Sequence, residues 1–195
     1  MEIKKSSSVN IHDIASLHFD GISTGFISSL GLGFVAALYE AINNDKNSFC
    51  LAAQEGDEVF GFAAFTEDLG SLYKSAIKSN GLKLVLAVGL KMLKPAVIKR
   101  IMQNLFYPSK TEKLDLPKAE LLSIAISPQA RGKGLGIQLC EAGFEECRRR
   151  GMQKVKVLVA ADNQPANKLY QKVGFEFVTS IDSHGVKSNV YVKLL

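Results

Sequence analysis

One segment limits the fold of this chain more than any other. Glu120–Ser127 is a mostly apolar run that passes through Pro128-Gln129-Ala130 into Arg131-Gly132-Lys133-Gly134-Leu135-Gly136. Beyond it, Leu135, Leu139, Gly143 and Cys147 recur at helical spacing as far as Arg150, and Gly151 supplies a stop. A strand, a glycine-rich loop and a helix in that order make an anion site. The first N–H groups of the helix lack internal partners, and its N-terminus carries partial positive charge. Gly132, Gly134 and Gly136 let the backbone approach a phosphate closely and adopt positive φ at low cost, and Arg131 and Lys133 add charge at the mouth. The loop is not a Walker loop, because Leu135 stands where Ser or Thr is required and the glycine spacing differs. Nor is it a convincing dinucleotide fingerprint, which needs a parallel βαβ unit and a ribose-binding acid about twenty residues on. By itself it also fits a helix start that serves packing alone.

The flanking sequence predicts a mixed α/β chain. A short N-terminal strand precedes a helix over Ile11, Ile14, Ala15, Leu17, His18 and Phe19, with Asn10 as its cap. The stretch from Gly21 to Gly33 reads as a loop or broken helix, and Phe34, Val35, Leu38, Tyr39 and Ile42 mark the next helix. Phe49–Gln54 and Val59–Phe65, around the turn Glu55-Gly56-Asp57-Glu58, read as an antiparallel hairpin. Residues 71–106 read as helical, divided by Pro95, with Val97, Ile98, Ile101, Met102 and Leu105 facing one side. After the glycine loop and its helix come a strand at Val155–Ala160 and a helix opened by Asn163-Gln164-Pro165 and ended by Gly174. Two closing strands follow at Phe175–Ser180 and Asn189–Leu194, joined through Asp182-Ser183-His184-Gly185.

The 195 residues suffice for one domain with a sizeable core, and the 47% hydrophobic content places the chain in the globular class, read as a single domain over 1–195. No apolar run stands behind Met1–Ser8, so the reading is a cytoplasmic chain without a secretory signal. Cys50, Cys140 and Cys147 lack metal-ligand spacing and read as small buried apolar residues, so no metal is expected. The net charge of +5 is unevenly spread: residues 71–113 carry nine basic residues against Glu112 alone, so that stretch holds +8 and the remainder −3.

The longer string Leu121–Gly136 resembles the main acetyl-CoA motif of the Gcn5-related N-acetyltransferase family: a hydrophobic strand, Pro, two spacers, then Arg-Gly-x-Gly-x-Gly. Asp162–Phe175 resembles the family's second motif, with Asn, Ala, Tyr and Gly-Phe in order. Together the motifs cover roughly residues 120–180. The resemblance implies a mixed, mostly antiparallel twisted sheet of six to seven strands with helices on both faces, and a helical insertion between strands three and four. It implies acetyl-CoA as co-substrate and transfer of its acetyl group to the primary amine of a small-molecule acceptor. Carried over position by position, the backbone of Ile124, Ala125 and Ile126 would pair with the pantetheine arm. The loop from Gln129 through Arg131, Gly132, Lys133, Gly134, Leu135 and Gly136 would hold the pyrophosphate. Asn163 and Asn167 would lie near the pantetheine and thiol end, and Tyr170 would protonate the departing thiolate.

The attacking amine must be neutral, so a base has to take its proton directly or through water. Glu120 has the placement of the catalytic glutamate in the histone-acetylating branch of the family; Glu67 and Asp68 are the alternatives. His12, His18 and His184 have no supporting context in the sequence. The basic segment reads as a solvated lysine face, as part of the acceptor pocket, as a homodimer contact or as a membrane-surface contact. Nucleic acid is not an expected partner, because the motifs lack aromatic residues interleaved with basic ones on strands and the basic residues are few. Rival readings are a CoA-binding regulatory or sensor domain without turnover, and an acyltransferase using another acyl group or a hydroxyl acceptor. If the segment shapes the pocket for an anionic acceptor, replacing Lys91, Lys94, Lys99 and Arg100 with Gln raises the acceptor KM; an unchanged KM in steady-state kinetics sinks that role.

Overall fold

In a computed structural model, which describes residues 1–23, 25–89, 115–183 and 186–195, seven strands form one sheet in the order β1-β2-β3-β4-β5-β7-β6. The strands are β1 (Glu2–Lys5), β2 (Ser48–Glu55), β3 (Glu58–Thr66), β4 (Glu120–Ile126), β5 (Lys154–Ala160), β6 (Glu176–Ser183) and β7 (Val186–Leu194). Every pairing is antiparallel except β4 with β5. The predicted hairpin is β2–β3, turning at Gly56, and the closing strands extend several residues further than the sequence suggested. Helices α1 (Ile11–Gly21), α2 (Phe26–Ser29), α3 (Leu32–Asn44) and α4 (Leu69–Val88) are joined by α5 (Leu135–Arg149) and α6 (Gln164–Lys172). The expected mixed sheet with a helix between the third and fourth strands is therefore observed. The second half of the basic segment, including Lys91, Lys94, Pro95, Lys99, Arg100, Lys110 and Lys113, and His184-Gly185 lie outside the described residues.

Local signals explain the element boundaries. The Asn10 side chain accepts from His12 N–H and starts α1, and Asn163 accepts from Ala166 N–H and starts α6. Gly21–Gly33 is the broken helix expected, with α2 as its short middle piece. Strands β2 and β3 are buried on both faces and so read as continuous apolar runs rather than alternating ones. Phe49, Leu51, Ala53, Ala63 and Phe65 join Leu121, Leu135, Leu139 and Phe144 in the core under α5 and α6. Cys50, Ala52, Phe62 and Ala64 turn the other way, onto Ile14, Val35, Tyr39, Ile42 and Leu72 of α1, α3 and α4. The sheet thus has an α5/α6 face and an α1/α3/α4 face.

Two irregularities of β4 shape everything that follows. Its pairing with β5 is confined to Glu120↔Lys156, after which the two parallel strands part. Its pairing with β3 slips, because Phe65 faces Leu121 while Ala64 faces Ser123, so Leu122 has no partner. This is a β-bulge, and it rotates the strand. Leu121 belongs to the α5/α6 core, whereas Leu122 packs on the opposite one.

The contact between α5 and β3 depends on Gly143. A Cβ there would stand 2.3 Å from Phe65 Cε2 and Cζ, and Phe65 is fully buried and stacked on Phe49 with centroids 5.1 Å apart. Gly143→Ala is expected to destabilise the fold by about 2–3 kcal/mol through overpacking, despite the gain in helix propensity. Urea unfolding measures this, and a change within about 0.5 kcal/mol of zero would contradict the packing argument.

Candidate active site

The loop after β4 begins as a 3-10 turn at Pro128–Ala130 and enters α5 through Gly134. Gly132 (φ 75°) and Gly134 (φ 79°) take the left-handed conformation that the sequence anticipates, with open space where a Cβ would lie. Gly136 does not use that freedom. It is the second residue of α5 rather than a positive-φ position, and a Cβ there would stand 3.3 Å from Leu169 Cδ2. Its smallness lets α6 approach α5. The N–H groups of Gly132, Lys133, Gly134, Leu135 and Gly136 make no hydrogen bond of standard geometry to the described residues, and no side chain caps the helix. Gln129, Arg131 and Lys133 are exposed around them, and Leu135 is buried beneath. The Arg131 Nε donates to Ile126 O at 3.1 Å, tying the loop to the end of β4.

Beside the loop runs the open edge of β4. Ser127 N–H donates to Phe60 O, and an antiparallel ladder alternates, so Ala125 and Ser123 direct their backbone polar groups to β3. Ile124 and Ile126 direct theirs outward, where β5 has parted. Of the three strand positions expected to pair with an extended ligand, two present their backbone and Ala125 does not. This edge and the unpaired loop amides suit a long ligand with amide groups at one end and a diphosphate at the other.

On the α5/α6 face, Tyr170 is buried against Phe175 and Tyr191, and its hydroxyl has no hydrogen-bond partner among the described residues. Burial pushes the phenol well above its ordinary pKa, so it keeps its proton. The Asn167 carboxamide is fully engaged. Its nitrogen donates to Ala160 O (3.0 Å) and Asn163 O (2.7 Å), and its oxygen accepts from Asn189 (2.9 Å) and the Tyr191 hydroxyl (2.8 Å). Asn167 therefore positions β5, β7 and the start of α6 rather than offering its own side chain to a ligand.

Glu120 and Lys156 lie on the other face, side by side at the one bridge between β4 and β5. Both are buried, with Lys156 Nζ 3.5 Å from Glu120 Oε2. The ammonium spends hydrogens on Pro117 O (2.5 Å) and Lys118 O (3.1 Å), which leaves Oε2 with an ionic neighbour and no hydrogen bond among the described residues. Burial raises the Glu120 pKa above the ordinary 4.5, and the Lys156 charge opposes that rise. The alternatives, Glu67 and Asp68, instead line a cleft of about 550 Å³ with Lys118 and Lys154, at the end of the sheet where β4 begins. Asp68 caps α4 through Ser71 N–H and lies 3.7 Å from Lys118. The three cysteines are buried free thiols, each pushed up to about 12 by burial, unsuited to thiolate chemistry at neutral pH.

The sequence reading passed over one group on this face. His18 Nδ1 is 2.7 Å from the Tyr39 hydroxyl, which is 2.8 Å from Ser123 Oγ at the β4 bulge. His18 stacks on Phe62, and its Nε2 is buried without a partner among the described residues.

A model of the acetyltransferase (GNAT) family matches residues 26–175. Mycothiol acetyltransferases from Saccharomonospora viridis and Corynebacterium glutamicum are 42% identical over 62 residues and 40% over 67, which is 32% and 34% of this chain. The chain spans only about a fifth of the length of these relatives, 20% and 22%. An N-acetyltransferase from Staphylococcus aureus has the same fold at 17% identity, with a TM-score of 0.65 over 99% of this chain and 97% of that one. So does a putative acetyltransferase from Salmonella typhimurium, solved with its cofactor acetyl-CoA: 16% identity, TM-score 0.61, covering 100% and 93%.

Burial of His18 lowers its pKa from 6.5 to about 4, so between these values the unfolded chain holds a proton that the folded chain refuses. Stability is then expected to fall as pH drops from 6.5 towards 4, by about 3 kcal/mol in all. Urea titrations at several pH values should show this slope in the parent and a much flatter one in His18→Asn. Equal slopes would mean that His18 titrates normally.

Proposed function

The chain belongs to the acetyltransferase (GNAT) family, and from that membership we propose that it transfers the acetyl group of acetyl-CoA to a primary amine of a small-molecule acceptor by direct attack on the thioester. One observation carries the reading. The open edge of β4 runs from the unpaired amides of the 132–136 loop, on the α5/α6 face, to Glu120 on the opposite face. A cofactor laid along that edge presents its thioester to both faces at once.

In this reading the chain's own groups divide the work. The N–H groups of Gly132–Gly136, with Gln129, Arg131 and Lys133 around them, hold the pyrophosphate. The outward backbone of Ile124 and Ile126 pairs with the pantetheine amides, and a strand N–H on this edge stabilises the oxyanion. Asn163 starts α6, and Asn167 locks it to β5 and β7, which fixes the height of Tyr170. The amine nitrogen bonds to the thioester carbonyl carbon, and its proton passes to Glu120, directly or through water. The C–S bond then breaks, and the sulfur takes the Tyr170 proton, leaving an amide and free CoA. Burial favours both assignments, because it keeps Tyr170 protonated and makes Glu120 a stronger base than a solvated carboxylate.

The acceptor class rests on narrower support. The relatives are named mycothiol acetyltransferases, and a fifth of their length is matched. In the described part of the basic segment, Lys74 and Lys78 line a cleft of about 430 Å³ with Asn44 and Lys46, which favours an anionic group on the acceptor or partner.

Incubation with acetyl-CoA and tyramine, spermidine, kanamycin or an alanine-leading peptide, followed by thiol release and product mass, tests the proposal. Turnover is expected on a small amine. Tyr170→Phe should lower kcat about a hundredfold. Glu120→Gln should lower kcat/KM by a similar factor and remove an acidic limb lying above the ordinary carboxylate range. Tight binding of acetyl-CoA with no turnover of any amine would favour a sensor.

A further inference from the structure

The chain His18–Tyr39–Ser123 crosses three elements, α1, α3 and β4, and ends at the bulge beside the open strand edge. His18 and Tyr39 are 5% and 1% exposed, while Ser123 is half-buried. Tyr39 and Phe62 pack edge to face at 5.2 Å, and Phe62 stacks on the imidazole, so the two inner members are fixed in place. Such a chain can run in either direction. If Ser123 donates to Tyr39 and Tyr39 to Nδ1, the imidazole carries its proton on Nε2, which is buried and has no partner among the described residues. If Nδ1–H donates to Tyr39 and Tyr39 to Ser123, the orphan is a lone pair instead. Buried unpaired N–H groups are the rarer of the two, so the second direction is favoured. It leaves Ser123 with one hydroxyl hydrogen that no group in the chain receives.

That hydrogen lies on the face opposite α5 and α6. The glycine loop and Tyr170 occupy the α5/α6 face, so the second substrate has to reach the thioester from the side on which Glu120 and Ser123 stand. We propose that Ser123 is a specificity-determining residue on the acceptor side, its hydroxyl aimed by Tyr39 and His18 to donate to a lone-pair-bearing oxygen or nitrogen of the acceptor other than the attacking amine. The inference rests on the acyl-transfer reading and adds a requirement: the preferred acceptor carries a hydrogen-bond-accepting atom near its amine. An amine without such an atom gains nothing from Ser123.

Two measurements test it. The first needs no acceptor: ¹⁵N-detected NMR of the His18 ring at pH 7 reads the tautomer. Nδ1–H supports the proposal; Nε2–H reverses the hydrogen-bond direction and overturns it. The second uses whichever of tyramine, spermidine, kanamycin and the alanine-leading peptide the parent protein acetylates best. Ser123→Ala should raise the acceptor KM about tenfold, leaving the KM for acetyl-CoA and kcat within about twofold. Tyr39→Phe should do the same, and Ser123→Thr should restore the parent value. A loss confined to kcat, or a failure of Thr to rescue, overturns the assignment. If acetyl-CoA binds but no amine is turned over, the acyl-transfer reading fails, while the tautomer still decides the direction of the chain.

Discussion

The arrangement of this protein depends on two parallel strands that meet at a single position. At Glu120↔Lys156 the sheet is continuous, and beyond it β4 and β5 part. An unpaired edge is ordinarily a liability, because its N–H and C=O groups must find water or another chain. Here the parting lies in the interior of a seven-stranded sheet, flanked by β3 and β7, which shields the edge from aggregation and leaves it to an extended ligand. The buried ion pair at the apex adds little net stability, since desolvation offsets most of its attraction. Its consequence is geometric. Lys156 is also bound to the carbonyls of Pro117 and Lys118, so the approach to β4 and the start of β5 are held to one point from which the strands diverge.

From that apex follows a division of labour between the faces. The glycine loop, α5 and α6 share one core with Leu121 and Ile124; α1, α3 and α4 share the other with Leu122 and Ala125. The bulge at Leu122 lets one short strand serve both. It keeps Leu121 and Ile124 on the cofactor side, although they are three apart, and turns Ser123 towards Tyr39. A regular strand would put Leu121 and Ser123 on the same face and break the chain from His18.

What could be read in the sequence follows the range of the forces involved. Positive φ at Gly132 and Gly134, the Asn10 and Asn163 caps and the stops at Gly151 and Gly174 are local requirements, visible within a few residues. The α/β order and the helix after β3 were legible for the same reason. The packing role of Gly136 was not legible because its constraint is Leu169 from another helix, and the periodic pattern carries no trace of that contact. His18 gave no signal because its partners lie 21 and a further 84 residues along the chain. Asn167 was placed near the ligand by its motif, but only the fold shows Ala160, Asn189 and Tyr191 occupying its carboxamide.

The same contrast bears on Glu120. A glutamate at a strand start is, by composition alone, a solvated acid. Its burial comes from residues far away: Lys156 across the bridge and Tyr73 of α4, close enough that the Glu120 charge helps to raise the phenol. A carboxylate held dry beside one ammonium is poised between two states. With Lys156 alone it would stay ionised and weakly basic; with burial alone it would take a proton and lose its use as a base. Burial outweighs the Lys156 charge, so the group holds a proton more tightly than a surface carboxylate. Oε2 makes no hydrogen bond among the described residues, so an incoming donor such as an amine or a water would satisfy it rather than displace a partner. The unpartnered oxygen thus supports the base assignment more strongly than the position of Glu120 in the motif does.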